Sequence, residues 1–231
     1  MATAEEIQEE AHRRSMYEVS KEIRESKTSV SRLMYIGKIN KDDPQHKFDI
    51  NEDINRFKTK NGVEFTGLLI STGSYIIHLV EGSTETLFAL VKWNEKLMKQ
   101  DPAPFTALTF PVFTEENPVS LFKYWTSALT NPQSSGEDDP ENFLPEEISW
   151  GLYSNMLEIG TKHGQLSTME ITDKIKQSSN SKRLLFKQEV LSLLLTDKFP
   201  NLQDFIEIYI APIDIVFENE LVWPCPPELN F

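Results

Sequence analysis

A single cysteine, Cys225, occurs in 231 residues, so an internal disulfide and a multi-cysteine zinc site are both excluded. Its setting, Trp223-Pro224-Cys225-Pro226-Pro227, reads as a buried or idle thiol rather than a redox switch. Basic residues are in deficit: 23 Lys and Arg stand against 36 Asp and Glu, giving a net charge of −13 and a pI near 4.8. That balance argues against nucleic-acid phosphates and anionic membranes as partners and leaves solubility or basic proteins. No apolar run approaches the roughly 20 residues that span a bilayer. The first ten residues are polar and acidic, unlike a signal peptide or presequence, so a soluble, cytoplasmic chain is expected. The histidines lack H-x-x-x-H and H-E-x-x-H spacing, and no metal site is expected. Gly62, Gly67, Gly73 and Gly82 sit at turns and strand ends and do not compose a phosphate loop.

What is present is a core former, with 39% hydrophobic residues and 14 Phe. Its clearest segment is Thr66-Gly67-Leu68-Leu69-Ile70-Ser71-Thr72-Gly73-Ser74-Tyr75-Ile76-Ile77-His78-Leu79-Val80-Glu81-Gly82. Two apolar, β-branched runs flank a Thr-Gly-Ser break, which predicts a hairpin over 64–72 and 74–81. Ser83 and Thr84 can cap a helix running to Gln100, with Leu87, Leu90, Val91, Leu97 and Met98 on one stripe and Pro102 as its stop. Upstream, Arg32 to Ile39 reads as a strand, and Phe48 to Phe57 as a short helix ending before Asn61-Gly62. Phe105 to Phe113 alternates as a fourth strand. The order βαββαβ specifies an α+β fold.

The remainder divides around this unit. Residues 1–28 are charged and free of Gly and Pro, with Ile7, Ala11, Val19 and Ile23 as a thin stripe, and read as an N-terminal helical extension. The unit itself occupies 29–130. Residues 131–147 form a Pro-, Ser- and acid-rich linker, in which Glu137, Asp138, Asp139 and Glu141 lack the alternating oxygens of a calcium loop. Residues 148–231 supply C-terminal helices, a strand and an extended tail. A helix is expected from Pro145 to Thr161, a polar stretch through Ser181, an apolar helix over Lys182 to Asp197, and one bent strand or two short ones over Phe205 to Phe217. The helix around Leu191 to Leu195 buries against the sheet or serves as a dimer or partner seam.

Tyr35, Thr66-Gly67-Leu68-Leu69, Glu81-Gly82 and the Phe122-x-x-Trp125 pair, taken in order, resemble the BLUF domain, the flavin-binding blue-light sensor, across roughly residues 30–128. With its extensions the chain is similar to the BLUF-like proteins of animal testis and motile cilia. The resemblance implies a ferredoxin-like sandwich: a four- or five-stranded mixed sheet with two helices on one face. It also implies a photochemical pair, a strand-one tyrosine bonded to a strand-three glutamine that contacts the flavin. Tyr35 fills the first position, but the second is His78. A glutamine amide offers one acceptor and two donors on a rotatable group, whereas neutral imidazole offers one of each on a rigid ring. The asparagine expected near the end of the first helix is Lys60, and the methionine two residues beyond the tryptophan is Ser127. The photocycle is expected to be lost.

The function expected is therefore that of a non-enzymatic structural or interaction protein, resembling a ciliary or flagellar axonemal component. Its partners would be other proteins, axonemal or microtubule-associated, with a homodimer as an option, no nucleic acid and no bound cofactor. The alternative is an FAD-binding blue-light or redox sensor with altered photochemistry, with Tyr35, His78, Lys60 and Trp125 as the flavin-binding residues, Tyr35 and His78 at the ring and Lys58 or Lys60 near the phosphates. An enzyme using His78 as general base is the weakest reading, because no carboxylate on the neighbouring strands is placed to orient the imidazole.

Overall fold

The computed structural model describes residues 15–16, 30–40, 49–130, 144–178 and 188–212. Five strands form one sheet in the order β4-β1-β3-β2-β5, and the two most apolar strands lie inside it. β1 (Val30–Ile39) runs antiparallel to both β3 (Tyr75–Gly82) and β4 (Phe105–Asn117). β2 (Thr66–Ser71) completes the hairpin with β3 and pairs in parallel with β5 (Trp125–Leu129). Seven of the eight β3 residues are buried, because helices cover the sheet on both faces and a strand so placed must be apolar on both sides.

The strand period of two decides which residue meets which layer. Leu33, Tyr35, Leu69, Ile76, His78 and Val80 face α1 (Ile50–Asn61) and α2 (Thr84–Met98). Met34, Ile36, Leu68, Ile70, Ile77 and Leu79 face the C-terminal helices. Local chemistry fixes the first two helices. Asp49 caps α1 by accepting from the amides of Asn51 and Glu52, and Gly62, at φ 61°, ends it. Ser83 caps α2 through the Thr86 amide. Each helix then buries one stripe, Ile50, Ile54 and Phe57 from α1 and Leu87, Leu90, Val91 and Leu97 from α2.

On the other face lie α3 (Pro145–His163), α4 (Thr168–Ser178) and α5 (Gln188–Leu193). Leu152, Tyr153 and Met156 from α3, Ile171 and Ile175 from α4, and Leu191 and Leu194 make that second core. α3 approaches the loop before β5 closely enough that a Cβ at Gly160 would lie 2.9 Å from Leu121 and from the Phe122 ring.

Four elements differ from expectation. The fifth strand of the described sheet is Trp125–Leu129 and not a segment of 205–212. Residues 202–205 form a helical turn, α6 (Leu202–Phe205), that passes into a π-helical turn, Ile206–Ile210. Asn201 starts it by accepting from the amides of Gln203 and Asp204. Leu202, Ile206 and Ile210, four apart, then pack against the α1/α2 core, and the Phe205 and Tyr209 rings lie 4.7 Å apart. Short apolar runs satisfy both periods, and here the cap and the packing select the helix. The stretch after Thr161, read as polar through Ser181, contains α4, whose Ile171 and Ile175 suffice to anchor it. The helix expected over Lys182 to Asp197 ends at Leu193, and 182–187 lie outside the described residues. The N-terminal extension apart from 15–16, the acidic run 137–141, residues 213–217 and Cys225 lie outside the described residues. Among the described residues no helix is long and apolar enough to cross a membrane.

Candidate functional site

Strand register brings three aromatic side chains to one point of the α1/α2 face. Tyr35 and His78 are directly opposite in the β1/β3 pair. Trp125 is opposite Gly67 across the β5/β2 pair, and Gly67 in turn pairs with Val80. Gly67 puts no side chain between them, so the indole crosses β2 to reach the imidazole. Its φ of 138° is open to glycine, and a Cβ there would sit 2.1 Å from the Leu79 carbonyl.

The result is a three-member chain. The Trp125 Nε1–H donates to His78 Nε2 at 2.9 Å, and His78 Nδ1 lies 2.8 Å from the Tyr35 hydroxyl. An indole nitrogen can only donate, so Nε2 carries the lone pair and Nδ1 the proton. His78 therefore donates to the Tyr35 oxygen and is neutral. The rings of Tyr35 and Trp125 both meet the imidazole edge-on, at centroid distances of 5.0 and 6.0 Å. Burial pushes the imidazole pKa down to about 3 and raises that of the Tyr35 phenol. Neither group can supply or take a proton near neutral pH. Asn94, on α2, lies close enough to the phenol to offset part of its shift, yet neither amide atom reaches a partner in hydrogen-bonding geometry. An orphaned buried amide destabilises by about 1–3 kcal/mol. Asn94→Leu is accordingly expected to leave stability unchanged or raise it by about 1 kcal/mol in urea denaturation. A loss of that size would instead show that Asn94 holds Tyr35.

A flavin implied by the resemblance would have to lie against Tyr35 and His78, and the residues present do not fit it. Tyr35, Ile54, His78, Leu90, Val91 and Asn94 expose no surface even to water. Above them Phe57 of α1 packs against Trp93 of α2, ring centroids 5.2 Å apart. Lys60 projects from the last turn of α1 into solvent, and Ser127 lies on β5 beyond the tryptophan. Of the four residues expected at the site, Tyr35, His78 and Trp125 come together and Lys60 does not. Among the described residues no cluster of His, Cys, Asp or Glu could hold a metal ion.

A second buried constellation lies at the end of β3, where the sequence reading saw only a strand end. The Glu81 side chain is fully buried and accepts from five donors: Arg32 Nε at 2.7 Å, Ser120 Oγ at 2.7 Å, the amides of Leu121 and Phe122 at 2.9 and 3.0 Å, and Thr66 Oγ1 at 3.4 Å. Arg32 also donates to Asn117 Oδ1 and to the Val119 carbonyl, both at 2.8 Å. The pair fastens the 117–122 loop to the sheet and so positions Phe122 and Trp125. An Arg and a Glu inside otherwise apolar strands were its sequence signal, since such charges enter a core only as partners.

Residues 29–211, well over half of the chain, match the family described as Testis-expressed protein 47. The chain belongs to that family. This family member is also similar to solved structures. Klebsiella pneumoniae BlrP1 with FMN and cyclic diGMP matches at 19% identity over 44% of this chain and 26% of that one, with a TM-score of 0.35. BlrP1 BLUF matches at 15% identity over 64% and 88%, with a TM-score of 0.36. BlsA in its ground state matches at 15% identity over 60% and 92%, with a TM-score of 0.37. The chain thus spans about a quarter, 26%, of the length of the first of these.

Proposed function

We propose that this chain is a non-enzymatic interaction protein whose BLUF-like domain serves as a rigid scaffold within a ciliary or flagellar axonemal assembly. The observation that carries the scaffold reading is the sealed Tyr35–His78–Trp125 chain. Tyr35 and His78, which would touch a flavin ring, bond to each other and have no accessible surface, and His78 is also held by the Trp125 indole. A proton-transfer role for His78 is opposed by the same burial, which keeps the ring neutral and out of reach of any substrate. The axonemal setting rests on the resemblance to BLUF-like proteins of motile cilia and on the testis-expressed family, and the acidic surface favours basic protein partners.

Two measurements test this. Purified full-length protein mixed with excess FAD or FMN and dialysed is expected to retain no visible flavin absorbance, and His78→Gln is expected to retain none either, because Ile54, Leu90, Val91 and Asn94 still fill the space. Yellow colour retained by the wild type and lost on changing His78 would sink the scaffold reading in favour of a flavin sensor, whereas colour independent of His78 would place the ligand outside the core. A tagged chain in motile cells is expected to stay with the axoneme after detergent extraction; full release into the detergent supernatant would remove the axonemal assignment.

A further inference from the structure

A cleft of about 500 Å³ opens at one end of the strands, where β1, β2 and β5 begin and β3 ends, away from Tyr35 and His78, neither of which lines it. Its walls are the end of α1 with Lys58, the entry to β2 with Phe65 and Thr66, and the loop before β5 with Ser120, Lys123, Tyr124 and Trp125. In a chain of net charge −13 it is unusual in having two ammonium groups beside three aromatic rings. Lys58 Nζ stands 4.9 Å from the centre of the Phe65 ring, and Lys123 Nζ stands 5.2 Å from that of Tyr124. These are cation–π distances, which orient both side chains. Among the described residues neither lysine sits in an ion pair. Lys58 spends one of its three donors on the Phe65 carbonyl, at 3.2 Å.

Of the acidic residues lining the cleft, Glu81 is neutralised by Arg32 and faces the donors already described. Glu64, at the rim, is near enough to favour the charged form of Lys58, although partial burial is the larger effect and pulls its pKa down. A partly desolvated ammonium without a bound counter-ion gains from an incoming anion. The indole of Trp125 is held in one orientation by His78, and Tyr124 is half exposed, so flat apolar surface is ready-made beside the charges.

We propose that this cleft is a binding site for a planar aromatic phosphate: the ring lies against Tyr124 and Trp125, and the dianionic phosphate is met by Lys58 and Lys123. The site is independent of the scaffold role and lies outside the Tyr35–His78 core, sharing with the implied flavin position only Trp125 and Lys58. The volume lies within the range of small-molecule sites and accommodates a mononucleotide.

The test is calorimetric titration of the full chain with AMP, adenosine, inorganic phosphate and FMN. AMP is expected to bind one per chain, with adenosine and phosphate each at least tenfold weaker, because neither alone engages both the rings and the lysines. Lys58→Met, Lys123→Met and Tyr124→Ala are each expected to weaken AMP at least tenfold with an unchanged circular dichroism spectrum, since all three positions are partly or fully exposed. His78→Gln is expected to leave AMP affinity unaltered. Absence of AMP binding, equal binding of adenosine or phosphate, or indifference to both lysine substitutions would each overturn the proposal. So would FMN binding that depends on His78, because it would place the ligand in the core.

Discussion

Glu81→Ala is expected to lower the stability of this protein by about 3–5 kcal/mol, the range measured when one partner of a buried ion pair is removed. The carboxylate has no exposed surface, and its loss strands the Arg32 guanidinium, itself nearly buried, together with two backbone amides and the Ser120 hydroxyl. The stranded guanidinium charge dominates the effect. Set against the 5–15 kcal/mol typical of a whole domain, that is a large fraction. Glu81→Gln keeps the shape and one acceptor but turns an NH2 group toward donors, and about half the loss is expected. Urea denaturation followed by tryptophan fluorescence measures both. The loop held by Glu81 carries Trp125, so the alanine variant should also shift the native emission spectrum as the indole leaves His78. A destabilisation below about 1 kcal/mol would show that the network is replaceable and that the 117–122 loop is held by Phe122 packing alone.

The comparison of Glu81 with His78 shows what the sequence made legible. The β2–β3 hairpin, both flanking helices and the first and fourth strands were readable, because each combines a clean period with a local stop: Gly62 after α1, Gly73 in the turn, Ser83 before α2. The pairing of Tyr35 with His78 also followed, from the resemblance and then from register. β5 was missed because five residues, Trp-Thr-Ser-Ala-Leu, carry too little apolar alternation to announce a strand, and its pairing with β2 is parallel and long-range. The Phe205 region failed for the opposite reason. Its alternation was good, but a helix of period near four fits the same Ile and Phe residues once Asn201 caps it. Glu81 was legible only as punctuation, because its donors come from β1, β2 and the 117–122 loop, and no local pattern encodes that convergence. The bond from Trp125 to His78 was invisible for the same reason. Trp125 reaches it across β2 over Gly67, a geometry that exists only when the sheet order is known.

His78 should make this protein acid-labile in a way that a glutamine would not. The folded-state pKa lies near 3, below the ordinary value of 6.5, and burial is the cause. A histidine buried neutral binds its proton more readily in the unfolded chain, so between those two values the unfolded state carries more protons and stability falls as pH falls. Above about pH 7 both states are neutral and the group contributes no pH dependence. Below 6.5 the loss grows by up to about 1.4 kcal/mol per pH unit, reaching roughly 3 kcal/mol at pH 4.5. Glutamine provides the control. Its amide oxygen accepts from Trp125 and its NH2 group donates to Tyr35, as the neutral imidazole does, and it does not titrate. The carboxylates of this acidic chain titrate in both proteins and cancel in the difference. Urea denaturation of wild type and His78→Gln from pH 4.5 to 8 is expected to give a stability difference that is flat above pH 7 and turns steadily in favour of glutamine below 6.5. Parallel curves over the whole range would mean that the imidazole accepts a proton in the folded state. The sealed Tyr35–His78–Trp125 chain would then be open to water, and the argument that this fold excludes a flavin from its core would fall with it.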